Sequence, residues 1–499
     1  MDKGDRSLSR RRFLESLGIT AAASLFFQSC VKPFHLTVSG KKTKFRNIIF
    51  ILSDDHRHDF MGFMGRPAFL NTPNMDRLAR NGTHLKNAFV TTSLCSPSRA
   101  SIFTGQYSHR HGVIDNQTDI PDGTIFFPEY LQNAGYETAF FGKWHMGHDT
   151  DRPRPGFNKW VSFKGQGVYY NPEINVDGRI ERVKGYISDI LTDYALNWLI
   201  NERDPGKPFF LFLSHKAVHA MFKPAERHLG LYDNEKIEYP ATMADTEENY
   251  QGKPRWVREQ RNSWHGVDYM YHGAMDFDTF YRRYCETLLG IDDSIGRVLD
   301  CLEENDLYQS TMMMYMGDNG FSFGEHGLID KRHMYEESIR VPFIASCPGL
   351  IEPGTTVHPM VQNIDIAPTL LEWAGAEVPA YMNGMSMLPL FNGKKDPVWR
   401  DSIFYEYYWE WNYPQTPTVH GIRTEQYKYM HYHGIWDDDE LYDIESDPDE
   451  MQNLIHEPEF QDIVKDLNNR VFEWLDKTQG LNIPLRRTRG ERNADQKDK

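Results

Sequence analysis

Asp54 and Asp55 stand side by side at the end of Asn47-Ile48-Ile49-Phe50-Ile51-Leu52-Ser53. Adjacent carboxylates repel each other unless a cation lies between them, which points to a hard divalent metal. A second apolar run, Thr311-Met312-Met313-Met314-Tyr315-Met316, ends in Gly317-Asp318-Asn319-Gly320 and offers a further carboxylate with an amide oxygen. Cys95 comes just before Ser96-Pro97, and Pro is favoured at the first helical position because its missing N–H is unpaired there anyway. This order predicts Cys95 at the mouth of a helix, where free N–H groups and the helix dipole attract anions. Arg99 lies one turn further on and can reach the same anion. Lys143 and His145 follow Tyr136–Phe141 with one residue between them, so an extended chain turns both to one side and Trp144 to the other. His215 and His219 open from another apolar run, Lys207–Ser214, and Lys331, Arg332 and His333 follow Gly324-Glu325-His326-Gly327.

Apolar, β-branched runs without alternation read as strands covered on both faces of a parallel sheet. The runs above therefore form the core of an α/β fold, and in open α/β sheets ligands gather beyond the C-terminal strand ends. Periodicity predicts helices over 74–81, 126–135, 189–201, 282–305 and 365–375, with a further strand over 340–345. Residues 220–275 show no regular period but are rich in Trp, Tyr, His and Arg. A long insertion of this kind either roofs a substrate cleft or is a packed surface excursion; Trp264, His265, Tyr269 and Tyr271 are its candidate ligand-facing residues. From about 396 the texture turns to short aromatic segments, 403–408, 420–423 and 427–432, which predict a small antiparallel sheet. A helix over 463–475 closes the fold, and the charged residues 486–499 read as a disordered tail.

Composition narrows the partners. The formal net charge is −16 with no basic stripe, which argues against nucleic acid and against an acidic membrane surface. The five cysteines (Cys30, Cys95, Cys285, Cys301 and Cys347) form no C-x-x-C and predict no disulfide framework. Ser9-Arg10-Arg11-Arg12-Phe13-Leu14 precedes an apolar run, Leu17–Phe27, too short to span a membrane. Residues 1–30 resemble a bacterial twin-arginine export signal, which implies passage through the twin-arginine machinery to the periplasm, with Cys30 a candidate lipid anchor. No later stretch is long and apolar enough for a transmembrane helix.

Cys95-Ser96-Pro97-Ser98-Arg99, followed by Ala100-Ser101-Ile102-Phe103-Thr104-Gly105, resembles the signature of the type I, formylglycine-dependent sulfatases of the alkaline phosphatase superfamily. Gly142-Lys143-Trp144-His145 is similar to that family's G-K-W-H element, and Gly324–Lys331 to its second lysine element. His215–His219 resembles its H-x-P-H element, with Val218 in place of the proline. The motifs stand in family order from Asn47 to the last helix. The resemblance implies an alkaline-phosphatase-like α/β sandwich: a large mixed, mostly parallel sheet over 45–395 and a small C-terminal subdomain with an antiparallel sheet over 396–485. It implies that Asp54, Asp55, Asp318 and Asn319 bind Ca2+, with Cys95 as a further ligand after its conversion to 3-oxoalanine (Cα-formylglycine) by the formylglycine-generating enzyme. It places Arg99, Lys143, His145, His219 and Lys331 around the sulfate. In this scheme His219 protonates the leaving alkoxide and His145 takes a proton from the aldehyde hydrate. His215, Arg332, His333 and His265 are candidate substrate-binding residues.

The implied activity is hydrolysis of a sulfate ester on a carbohydrate, such as an algal polysaccharide or a glycosaminoglycan. The alternatives are a phosphate or phosphonate ester hydrolase on the same scaffold and an inactive exported glycan-binding protein. Intact catalytic positions weigh against the last.

Overall fold

All seven residues of strand β1 (Asn47–Ser53) are buried, as an apolar run without alternation requires. The computed structural model describes residues 47–484 except 148–149, 274, 392–397 and 435–436. The export segment with Cys30, the expected boundary near 396 and the tail from 486 lie outside the described residues.

In chain order β1 is followed by α1 (Pro73–Arg80), β2 (Thr83–Leu85), α2 (Cys95–Thr104), α3 (Phe127–Asn133), β3 (Glu137–Lys143), β4 (Lys159–Phe163), β5 (Glu173–Val176) and β6 (Arg179–Arg182). Then come α4 (Ile187–Asn197), β7 (Phe209–Ser214), α5 (Phe277–Glu304), β8 (Thr311–Gly317), β9 (Phe343–Ser346), β10 (Thr355–Val357) and α6 (Ile366–Ala374). The strands form a ten-stranded sheet in the order β10-β2-β9-β8-β1-β7-β3-β4-β5-β6. Its centre, β8-β1-β7-β3-β4, is parallel throughout, and antiparallel pairings flank it on both sides. The four apolar runs are therefore the buried parallel strands that their composition calls for. The segment expected as a strand over 340–345 starts later, at Phe343, and runs antiparallel to β8.

Helices cover both faces. Ile49, Ile51, Leu211 and Leu213 pack in one apolar cluster with residues of α4 and α5. On the other face Phe103 of α2 stacks on Phe212, with ring centroids 4.7 Å apart, and meets Phe140 and Trp144. Truncating a buried phenylalanine costs about 3–5 kcal/mol, so this cluster fixes α2 firmly on the sheet. Helix α5 begins earlier than expected because Asp276 caps it, its carboxylate accepting from Thr279 N at 2.9 Å.

Residues 220–275 fold as short helical turns, with no strand among the described residues. The chain ends in a second, antiparallel sheet of β11 (Ser402–Tyr407), β12 (Thr418–Thr424), β13 (Tyr427–His433) and β14 (Glu440–Asp443), in that order. Helix α7 (Gln461–Lys477) covers it, Trp474 stacking on Phe404 at 4.8 Å. Among the described residues no helix is long and apolar enough to cross a membrane.

Candidate active site

The parallel register that sets Ser53 beside Gly317 brings Asp54 and Asp55 out of the sheet next to Asp318 and Asn319. The N–H of Asp318 donates to Ser53 O at 2.9 Å, and that of Asp55 to Asp318 Oδ1 at 3.0 Å. Asp55 takes a left-handed φ of 54°, uncommon for a residue with a Cβ. It is held there from α5, where the Tyr284 hydroxyl donates to Asp55 O at 2.7 Å. Asp54, Asp55 and Asp318 are buried, with carboxylate oxygens within 4.8 Å of one another. Asn319 donates to Asp55 Oδ1 at 2.7 Å, while its own Oδ1 is buried without a hydrogen-bond partner. Three carboxylates and an orphaned amide oxygen make an all-oxygen donor set that fits Ca2+.

The charges agree with that fit. Burial, with Asp54 and Asp318 close by, pushes Asp55 up to about 7 against the pull of Lys331. Burial and Asp54 likewise raise Asp318. Asp54 goes the other way: burial opposes its charge, but Lys143, His219 and Arg99 outweigh it and hold the carboxyl well below its usual range. A dication would offset the repulsion that raises two of the three.

Cys95 is the first residue of α2, so the helix begins two residues before Pro97 instead of at it. Its Sγ is buried, 3.3 Å from Asp54 Oδ1. Burial and the Asp54 charge push the thiol far up, which makes an unmodified cysteine a poor nucleophile here. The Ser96 N–H donates to Asn116 Oδ1 at 3.0 Å, so part of the helix mouth is satisfied by the protein itself. Arg99 does not face an open cleft. It is 1% exposed; Nε donates to Asp318 Oδ2 at 2.9 Å, and Nη1 to Lys143 O at 2.8 Å and Ser214 Oγ at 2.6 Å. One guanidinium thus ties α2 to the ends of β8, β3 and β7.

Lys143 pairs with Asp54 and Lys331 with Asp55. The expected side-by-side projection of Lys143 and His145 from an extended strand does not occur. β3 ends at Lys143, and His145 sits at a left-handed φ of 49°. The kink still turns His145 to the site, where Gln166 Nε2 donates to its Nε2 at 3.2 Å. Because Gln166 Oε1 accepts from Lys143, the amide has one orientation, and His145 offers Nε2 as acceptor with the proton on Nδ1. Sequence reasoning missed Gln166. Its place after β4, the parallel neighbour of β3, was the available signal, since loops following parallel strands open on one edge.

His219 donates from Nδ1 to Ala220 O at 2.7 Å, leaving Nε2 4.0 Å from Asp55 Oδ2. Its side chain is 20% exposed, against 0% and 2% for Lys143 and Lys331, so an arriving ligand meets His219 first. Burial, then Lys331 and Lys143, hold it well below the usual histidine range; burial and Lys143 do the same to His145. The loop carrying His219 is tied to β1: Asp54 N donates to Ala217 O at 2.8 Å, and Val218 N to Asp54 O at 2.7 Å. A proline could not make the second bond, which gives Val218 a structural reason.

Two expected substrate contacts fail. His215 faces the helix layer, where Nε2 meets Ser294 Oγ of α5 at 3.0 Å, and burial lowers it to about 3. His333 turns inward to Ser322 Oγ at 3.0 Å and is likewise lowered to about 3 by burial. Both are neutral core histidines.

Arg332 and His265 do lie beside Lys331, already partnered. Arg332 pairs with Asp330, donates from Nε to Glu410 Oε1 at 2.8 Å, and sits 3.8 Å above the Tyr413 ring. His265 Nδ1 is 3.0 Å from Asp330 Oδ2, and its ring is 4.5 Å from Tyr413. Asp330, Glu410 and Tyr413 were not foreseen. The last two follow β11, 78 residues or more from Arg332 in sequence, with no local pattern to mark them. The 220–275 insertion reaches this cluster: Gly266 bridges Leu328, and Ile329 N donates to His265 O at 2.8 Å. Trp264 and Tyr269 stay exposed at 45% and 40%, while the Tyr271 side chain lies outside the described residues.

Residues 46–376 match the family model described as Sulfatase, and residues 324–477 the one described as N-sulphoglucosamine sulphohydrolase, C-terminal. The chain is similar to N-acetylglucosamine-6-O-sulfatase of Bacteroides thetaiotaomicron, 35% identical over 520 residues that cover 92% of this chain and 89% of the relative. A solved structure described as a complex with its substrate D-glucosamine-2-N,6-O-disulfate superposes with a TM-score of 0.81 at 33% identity, covering 88% of this chain and 99% of the other. Phosphonate monoester hydrolase of Agrobacterium radiobacter shares the fold at a TM-score of 0.73 and 20% identity, over 87% and 97% of the two chains.

Proposed function

The chain belongs to the sulfatase family, and from that premise we propose that it removes a 6-O-sulfate from a glucosamine-type sugar, using Ca2+ and a 3-oxoalanine made from Cys95. It is a sulfuric ester hydrolase, and its relatives support a sulfated carbohydrate as the substrate. The observation that carries this reading is the placement of Cys95 Sγ 3.3 Å from Asp54, beside Asp55, Asp318 and the orphaned Asn319 Oδ1.

Held by Asp54, Asp55, Asp318 and Asn319, Ca2+ would supply a Lewis acid for the sulfate oxygens, and the hydrated aldehyde at residue 95 would supply the attacking hydroxyl. The remaining work falls to the chain's own groups. A sulfate ester is anionic and repels nucleophiles; Lys143 and Lys331 bring positive charge to the place where it must sit. Arg99 keeps Asp318 aimed and the strand ends together. His219 has Nδ1–H committed to Ala220 O, so its Nε2 would take up a proton from solvent as the anionic sulfate arrives and pass it on to the leaving sugar oxygen. His145, held by Gln166, presents Nε2 as the acceptor nitrogen next to Lys143. Arg332, His265 and Asp330 form a polar wall beside Lys331 that suits the hydroxyls of a sugar ring.

We read residues 1–30 as the address for periplasmic export of the folded enzyme. Oxidation of Cys95 by the formylglycine-generating enzyme would then precede folding in the cytoplasm. Replacing Arg10 and Arg11 by Lys is expected to leave active enzyme inside the cell; undiminished periplasmic activity would contradict this address.

Protein coexpressed with the formylglycine-generating enzyme can be offered N-acetylglucosamine 6-O-sulfate, D-glucosamine-2-N,6-O-disulfate, a galactosamine 4-O-sulfate and a phosphonate monoester. Release of sulfate from the 6-O-sulfated glucosamines ahead of the others is the expected result. Preferential turnover of the phosphonate, or of the 4-O-sulfate, would overturn the assignment.

A further inference from the structure

Among the described residues the buried lysines besides Lys216 are Lys143, Lys253, Lys331 and Lys428, and each of the four has a partner of complementary chemistry. Lys143 and Lys331 pair with Asp54 and Asp55. Lys428 lies 2.8 Å from both Glu336 and Glu450, and Lys253 donates to the Tyr442 hydroxyl at 2.9 Å. Lys216 is the exception. It is 4% exposed, and its ammonium makes no hydrogen bond or ion pair with a described residue, yet it is not among the fully enclosed polar atoms, so the little of Lys216 that is exposed includes the charge. The ammonium lies over the face of Tyr169, 4.6 Å from the ring centroid. A charge with so little access to water and no ion pair is costly, and a cation–π contact offsets only part of that cost.

Its position says what the charge serves. The Tyr169 hydroxyl donates to His219 O at 2.6 Å, and His219 N donates to Lys216 O at 3.1 Å. The ammonium therefore shares one platform with His219, the exposed group of the site and the proton donor proposed above. The carboxylates beside Cys95 are already matched by Arg99, Lys143 and Lys331, and the loop of Lys216 is pinned to β1 through Ala217 and Val218. The cation is thus held on the His219 side of the site without an ion pair of its own. Burial and Lys143 bring Lys216 down to about 8 while Asp54 and Asp55 pull the other way, so it remains mostly charged at neutral pH.

We propose that Lys216 binds a second anionic substituent, such as an N-sulfate, on the same sugar whose ester sulfate is removed, and so sets selectivity for doubly charged substrates. This rests on the sulfatase reading above. The test compares kcat/KM for D-glucosamine-2-N,6-O-disulfate and N-acetylglucosamine 6-O-sulfate in wild type, Lys216→Met and Lys216→Arg. A hydrogen-bonded charge pair is worth about 10–100-fold in affinity, so Lys216→Met should lower the disulfate-to-monosulfate ratio by about that factor, chiefly through KM. Lys216→Arg, which keeps the charge, should retain most of the ratio. An equal loss on both sugars would make Lys216 a support of the His219 loop and overturn the proposal, as would an unchanged ratio in Lys216→Met. Absence of wild-type turnover on both sugars would instead overturn the 6-O-sulfatase reading itself, before any variant is compared.

Discussion

At the scale of single residues, the structure separates groups that share a residue type. His219 and His215 lie four positions apart on one loop, but only His219 has a ring nitrogen free at the site; His215 serves Ser294 in the core. A sugar alkoxide is a strong base and needs a proton as it leaves, whereas a nitrophenolate does not. General acid catalysis contributes about 10²–10⁴-fold, so His219→Ala should lose a factor of that order on a sulfated sugar and far less on an aryl sulfate. Equal losses on the two substrates would make His219 a binding residue. Gln166→Ala removes the amide that links Lys143 to His145. Groups that orient site residues are typically worth about 10–100-fold, and a loss of that size in kcat with the melting temperature unchanged is expected. The site carboxylates, Cys95, Lys143 and Lys331 were legible because each follows an apolar run or a recognisable motif. Gln166, Asp330 and Glu410 were not, because only tertiary packing brings them in.

At the scale of elements, the central strands were legible because burial on both faces erases alternation, and β1, β3, β7 and β8 all show it. Boundaries were less so. A proline suits the first turn as well as the first position, which is why α2 could begin at Cys95. Helix α2 matters most, since it presents residue 95 to Asp54 and sends Arg99 to three strand ends. Its hold on the sheet is Phe103, 1% exposed among Phe212, Phe140 and Trp144. Phe103→Ala should destabilise the protein by about 3–5 kcal/mol in denaturant unfolding. A change within the ordinary surface range of about 0.5 kcal/mol would show that α2 is held by something else.

At the scale of the whole molecule, one edge of a ten-stranded sheet gathers groups from residue 54 to residue 331, and the second sheet adds Glu410 and Tyr413 behind Arg332. The presence of a small antiparallel sheet could be read from its alternating aromatics; its docking beside Lys331 could not, because no local pattern encodes it. A metal bound only by the folded site should stabilise the whole protein, by about 2.7 kcal/mol at a hundredfold excess over Kd. Chelation of Ca2+ is therefore expected to lower the melting temperature and abolish turnover together, with both restored on adding Ca2+. An unchanged melting curve with full activity would remove the metal from the scheme. The central claim is that residue 95, as a modified cysteine, hydrolyses the sulfate ester of a sugar. Its most direct measurement is sulfate release from N-acetylglucosamine 6-O-sulfate by wild type and Cys95→Ala, with the mass of the peptide bearing residue 95 recorded on the same wild-type preparation. The expected result is turnover by wild type with an aldehyde in place of the thiol, and none by a folded Cys95→Ala. Turnover that survives in Cys95→Ala, or full wild-type activity with an intact thiol, would contradict it.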